Sequence, residues 1–297
     1  MRRVFIIGMA ALLLAAGSLM GDIIRVPESF STIQEGINAA RSGDVVVIAA
    51  GVYRENVRMK ENVSLKGTGI NESTIEGVDV NPVVYGANYS RIEGFTITNN
   101  SDYPGFGVFC NHTSPTITNV MVTNNKWGIG CYFSSPKITN CFVENNKVEG
   151  IHCVASYPDI INNKISGNGD GIYCCFCFSL TIEKNTIHKN RYTGIYTIHS
   201  SPTIKDNDVV NNGFQNMLCN TFSIPLIRNN NISGETVYNL ELYKNNELID
   251  AKKNYWGATS AKKIREKIWD HADDGKLGKV DIQPWLGVSV SSKKQKH

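Results

Sequence analysis

The chain has 297 residues, 41% of them hydrophobic and 19% charged, with a net charge of +3. Ordinary apolar content and low charge exclude a disordered chain, and the length permits one large core. Arg2, Arg3, Lys293, Lys294 and Lys296 at the two termini account for the whole positive excess, so the body is near neutral and offers no nucleic-acid surface. The chain also holds 32 Asn and 26 Gly, which predicts many turns with left-handed backbone angles and argues against a helical bundle.

Residues 1–21 read as a secretory signal peptide. Arg2 and Arg3 precede an apolar run from Val4 to Ala16, followed by Gly17, Ser18 and Gly21. The run is short for a membrane span. The expectation is a secreted, periplasmic or cell-surface protein with no membrane contact after cleavage. A single β-domain over 22–297 should follow: a cap over 22–44, coils over 45–257, and a C-terminal cap with a basic tail over 258–297. In the first cap, Ser31 to Ala40 reads as an amphipathic helix with Ile33 and Ile37 on one face.

The coils are visible as internal repeats. A Ser-Pro-x-Ile phrase at Pro115 and Pro136 returns around Pro158, Leu180, Pro202 and Pro225, at spacings of 21 to 23 residues. Two residues on lie Ile117, Ile138, Ile160, Ile182, Ile204 and Ile227. Seven residues on lie Val122, Val143, Ile165, Ile187, Val209 and Ile232. A Gly then opens a third short strand at Gly128, Gly150, Gly171 and Gly194, and at Gly107 in an earlier coil that carries an inserted loop over 101–106. No strand has a hairpin partner nearby. Each should therefore stack on its counterpart one repeat later, giving three parallel sheets wound as a right-handed parallel β-helix.

Cys110, Cys131, Cys153, Cys174 and Cys219 occupy one slot three residues after the Gly position, with Thr197 in the coil between the last two. An inward ladder of small side chains explains this better than a disulfide framework. Asn119, Asn140 and Asn162 share a turn position. Asn185, Asn207 and Asn230 fall one residue later in the next coils. They predict side chains stacked along the rod. Glu183, Lys205 and Arg228 share an outward slot. At the far end, Ala261 to Trp269 reads as a capping helix with Ile264 and Ile268 inward.

Thr32-Ile-Gln-Glu-Gly-Ile-Asn-Ala-Ala, Gly43-Asp44-Val-Val-Val, Gly51-Val-Tyr53-Arg-Glu55 and Arg91 to Asn99 resemble the pectin-lyase-like right-handed β-helix superfamily. Asn254-Tyr-Trp-Gly257 resembles the terminal motif of its secreted members, including periplasmic proteins related to a copper-insertion factor. The resemblance implies the fold. It also implies a family of pectate lyases, polygalacturonases, alginate epimerases and members without known activity. The Gly-His-Gly, Asn-Thr-Asp, Asp-Pro-His-Asp and Trp-Ile-Asp-His signatures of those enzymes are missing.

The strand after the repeat Gly should point Phe109, Tyr132, His152, Tyr173, Tyr196 and Tyr243 outward, as a stripe of aromatic faces for sugar stacking. Glu149 and Asp170 immediately precede successive Gly residues and should stand about 5 Å apart. Such a pair would share a proton or hold Ca²⁺, with His152 as base and Arg191 as anion clamp. The function expected is binding of an extracellular polysaccharide along the stripe, with lyase or hydrolase activity left open. The rivals are a non-catalytic surface rod and a periplasmic accessory to metal-enzyme maturation.

Overall fold

The computed structural model describes residues 21–100 and 105–290. Residues 1–20, which carry nearly all of the expected signal peptide, most of the inserted loop and the end of the basic tail lie outside the described residues. The rest is a parallel β-solenoid of about ten coils. Its three long sheets hold ten, nine and ten strands, each pairing with the counterpart one coil away. The first sheet includes Thr116–Thr118, Lys137–Thr139 and Asp159–Ile161. The second includes Met121–Thr123 and Phe142–Glu144. The third includes Phe106–Asn111, Trp127–Tyr132, Glu149–Val154, Asp170–Cys175, Thr193–Ile198, Gln215–Asn220 and Tyr238–Tyr243.

Every repeat-derived Ile and Val points inward and is buried. The cysteine slot holds as read: Cys110 pairs with Cys131, Cys131 with Cys153, Cys153 with Cys174, and Thr197 separates Cys174 from Cys219. All eight cysteines are free, and the five of the ladder are buried. Burial pushes the thiol of Cys219 up to about 12, although the Thr197 hydroxyl beside it acts the other way. The Glu183–Lys205–Arg228 ladder also forms, with Lys205 Nζ 3.1 Å from Glu183.

Asparagine does two separate jobs. Asn119, Asn140 and Asn162 adopt left-handed angles, and Lys184, Asp206, Asn229 and Lys253 do so in later coils. Of these, Asn162 Nδ2 donates to Asn140 Oδ1 at 2.5 Å on the surface, and the long stack lies one residue on. Asn163, Asn185, Asn207, Asn230 and Asn254 form a buried column in which each backbone N–H and Nδ2 donates to the next Oδ1. A second buried column, through Asn125, Asn146, Asn168, Asn190, Asn212, Asn216 and Asn239, runs where the second sheet turns into the third. This column explains the repeat Gly. A Cβ on Gly128 would meet Gly150 O at 2.3 Å and Asn146 Nδ2 at 2.9 Å.

The caps give physical content to the phrases of the resemblance. Helix α1 (Ile33–Ala39) opens on a Thr32/Glu35 capping box. Glu55 reaches from the next coil to accept the N–H groups of Ile33 at 2.8 Å and Gln34 at 2.9 Å. Asn254 ends the first Asn column by donating to the carbonyls of Ile227 and Ala251, and Trp256 is buried beside it. The far helix is shorter than its sequence pattern suggests. It covers Ala261–Arg265, and Ile268–Trp269 instead pairs with Tyr238–Tyr243 as the last strand of the third sheet. An open sheet edge there would leave backbone groups unpaired, and that need overrides the helical spacing of Ile264 and Ile268.

Candidate functional site

The outward face of the third sheet has three columns. The first precedes the repeat Gly and reads Phe106, Trp127, Glu149, Asp170, Thr193, Gln215, Tyr238. The second reads Tyr85, Phe109, Gly130, His152, Tyr173, Tyr196, Leu218, Glu241. The third, two residues further on, holds Asn111, Tyr132, Val154, Cys175, Ile198, Asn220 and Tyr243. Phe109, His152, Tyr173 and Tyr196 thus share a column, but Tyr132 and Tyr243 do not. They belong to the neighbouring outward slot, which strand alternation allows equally.

Gly130 reconnects Tyr132 to the stripe. A Cβ there would lie 2.6 Å from Phe106 Cε1 and 2.9 Å from Phe109 Cδ2, so the missing side chain lets those rings close over the strand. Tyr132 stacks on His152 at 5.5 Å and His152 on Tyr173 at 4.9 Å, with planes 16° and 20° apart. Phe106 likewise stacks on Trp127 and Phe109. Centroid spacings near the coil rise mean that these faces look along the rod, at one another. The expectation of open ring faces is therefore corrected for Tyr132, His152 and Tyr173, which present edges and polar tips. Tyr196 is turned by 86° from Tyr173, and its hydroxyl accepts from Asn220 Nδ2 at 2.7 Å. Tyr243 stands apart, beyond Leu218, against Lys244.

Glu149 and Asp170 pair in register on adjacent strands, as their spacing predicts. Asp170 Oδ1 accepts the Thr193 N–H at 2.8 Å. Burial raises the Asp170 carboxyl above its ordinary range despite that bond, and the Glu149 charge adds to the rise. Glu149 Oε2 and His152 Nδ1 face each other at 3.5 Å, both buried and with no other partner. Nε2 is then the ring nitrogen left toward solvent. Burial also raises the pKa of Tyr132 and Tyr173, so both hydroxyls stay protonated and can donate. Toward the C-terminal end the first column becomes a polar chain: Thr193 Oγ1 donates to Gln215, and Gln215 Nε2 donates to Glu241 at 2.6 Å.

Arg191 does not reach this cluster. Its guanidinium donates to the Lys147 carbonyl and makes no ion pair with Glu149 or Asp170. The Ca²⁺ expectation also meets too few ligands. Among the described residues no three His, Cys, Asp or Glu side chains converge, and one Asp170 oxygen already serves Thr193. Sequence reasoning missed Phe106, Trp127 and Gly130. The signal for Phe106 and Trp127 was the same offset from the repeat Gly that singled out Glu149 and Asp170, and that for Gly130 was the offset shared by Phe109, His152 and Tyr173.

The raised Asp170 pKa has a sign that can be tested. A carboxyl with a raised folded-state pKa contributes most to stability at low pH, and the contribution falls as pH rises through that value. Asp170→Asn keeps an acceptor for Thr193 and removes the buried charge. We expect a Tm gain of about 2 °C near neutral pH and none below about pH 3.9, the ordinary Asp value. An equal gain at both would show that charge is not the cause.

Residues 29–268 match the family model described as NosD, periplasmic copper-binding protein. The chain belongs to the NosD family. No curated protein gives a sequence match. Among solved structures, the A-module of Azotobacter vinelandii mannuronan C-5 epimerase AlgE4 is similar at 17% identity and TM-score 0.53, covering 81% of this chain and 87% of that one. Alginate lyase from Paenibacillus sp. FPU-7 is similar at 14% identity and TM-score 0.61, covering 88% and 99%. The enzymatically active domain of bacteriophage CBA120 tailspike protein 2 is similar at 14% identity and TM-score 0.66, covering 91% of this chain and 46% of that one. These likenesses show the fold. The NosD family is described as periplasmic, and no helix among the described residues is long and apolar enough to cross a membrane. Among the described residues of this NosD-family chain copper finds no fitting ligand set. Seven of the eight thiols are buried in the core, with those of Cys110 and Cys219 held protonated by burial, and the partly exposed Cys175 has no two further ligands beside it.

Proposed function

We propose that this NosD-family chain binds an extracellular polysaccharide along the outward face of the third sheet. One observation carries the reading. Glu149 Oε2 and His152 Nδ1 are buried and unpartnered apart from each other, Glu149 lies in register with Asp170, and the rings of Tyr132 and Tyr173 stack on either side of His152. Glu149 would hold Nδ1 and leave Nε2 to exchange a proton with a ligand hydroxyl or a carbon acid. Tyr132, Tyr173 and Tyr196 would contact the sugar through edges and hydroxyls. The fold neighbours act on polymers of this kind by their names, alginate and mannuronan.

Affinity electrophoresis of the mature chain against alginate, polygalacturonate, hyaluronan and xylan tests this. At least one polymer should retard the native chain, and His152→Ala and Tyr173→Ala should each weaken that retardation at least fivefold. New reducing ends or unsaturated products that vanish in His152→Gln would extend the site from binding to cleavage. No retardation by any polymer would overturn the proposal. The family match over 29–268 favours a second reading, a periplasmic accessory to copper-enzyme maturation. A silent panel, with a copper enzyme left metal-free in cells lacking the chain, would put that reading first.

A further inference from the structure

A second aromatic row lies on the ridge where the third sheet turns into the first. His112, Phe133, Ala155, Phe176, His199 and Phe222 occupy one position in six successive coils, all with φ between 45° and 54° except Phe176 at 55°. The backbone N–H groups of His112, Phe133, Ala155, Phe176 and His199 each donate to the next coil, which fixes the register. Bulky residues rarely take this conformation. The other two turns of each coil mostly use Asn, Lys, Asp or Gly there. Phe133, Phe176 and Phe222 are 57%, 48% and 59% exposed. From His112 to Pro225 the turn segments on this ridge contain no Asp, Glu, Lys or Arg.

The rings stack along the ridge. His112 lies on Phe133 at 5.0 Å, and Phe176 on His199 at 4.9 Å with planes 7° apart. The stack breaks once, at Ala155. One face of Phe133 and one of Phe176 therefore look at each other across an empty coil. Two coil spacings separate them by about 9.6 Å. Van der Waals contacts of about 4 Å to each ring leave about 2 Å for the thickness of an inserted group. That suits a puckered sugar ring better than a flat aromatic one. Tyr157, two residues past Ala155 in the same turn, is also exposed.

We propose that Phe133 and Phe176 clamp one uncharged pyranose over Ala155, as an accessory subsite on the ridge beside the third sheet. The inference rests on the reading that the chain binds saccharide, and it assigns a place that the third-sheet site does not include. The decisive variant fills the gap. Ala155→Phe continues a stack that the neighbouring coils already tolerate at the same φ, so the chain should fold with an unchanged or higher Tm.

The test titrates the mature chain with methyl glycosides of glucose, galactose and mannose, followed by saturation-transfer NMR. The native chain should bind at least one, and Ala155→Phe and Phe133→Ala should each weaken it at least tenfold, while His152→Ala leaves it within twofold. Equal binding by native chain and Ala155→Phe would overturn the clamp and leave the third-sheet reading standing. Binding of no methyl glycoside, with polymer retardation intact, would do the same. If the ridge instead contacts a bilayer, Ala155→Phe should strengthen sedimentation with phosphatidylcholine vesicles, because it adds apolar surface. That outcome, without glycoside binding, also overturns the clamp.

Discussion

Cys153→Asp is expected to destabilise the chain by about 4–5 kcal/mol at neutral pH, because it forces a carboxylate into a slot with no polar partner. Cys153 is buried between Cys131 and Cys174 in the strands on either side. The new carboxylate can accept only weak S–H donors, and it displaces none of the surrounding Ile and Val side chains. The loss should shrink at acid pH, where the new group is neutral. Cys175→Asp makes the control. Cys175 lies one residue after the ladder, in an outward slot of the same sheet, and is only partly buried. Its replacement should cost under about 1 kcal/mol. Urea denaturation of both variants checks the pair. Similar losses would mean that the strand alternation has been assigned to the wrong face.

Asn190→Leu is expected to cost about 3–5 kcal/mol, by leaving several buried groups without partners. Asn190 Oδ1 accepts from both Asn168 N and Asn168 Nδ2 at 3.1 Å, and its Nδ2 donates to Ile165 O and to Asn212 Oδ1. Leucine has a similar volume but none of these atoms, so two Asn168 donors lose their shared acceptor and the Ile165 carbonyl loses a donor. Asn140→Lys provides the contrast. Asn140 is an exposed left-handed position, and Lys184 and Lys253 take the same conformation in equivalent turns at φ 57°. Its cost should be within about 0.5 kcal/mol. Denaturation midpoints that rank the two variants the other way would mean that the columns contribute less than the turns.

The inward half of the fold was legible because a strand has a side-chain period of two and the coil a period near 22, and both are written in Ile, Val and Cys. The paired carboxylates were legible for the same reason, since Glu149 and Asp170 keep a constant offset from a Gly. Ring orientation was not. It depends on χ angles set by neighbours in adjacent coils, such as the gap at Gly130 that draws Phe106 and Phe109 across the strand. Arg191 was misjudged because a long side chain at a turn can choose a carbonyl over a carboxylate. The Asn125 column was hidden by the alternative role of its neighbours: Asn124 and Asn145 supply left-handed turns, while Asn125 and Asn146 supply the buried bonds.

The two Asn columns have a direction. In each, the amide oxygen accepts from the preceding Asn and the amide nitrogen donates its link to the next, one coil further on except for the Asn212–Asn216 link within a single coil, without a reversal from Asn163 to Asn254 or from Asn125 to Asn239. Side-chain dipoles aligned in this way add, and each bond polarises the next. The rod is therefore electrically vectorial although its body is near neutral. Any substitution in mid-column does more than remove local bonds: it divides one polarised wire into two shorter ones, and the electrical difference between the rod's two ends falls with it.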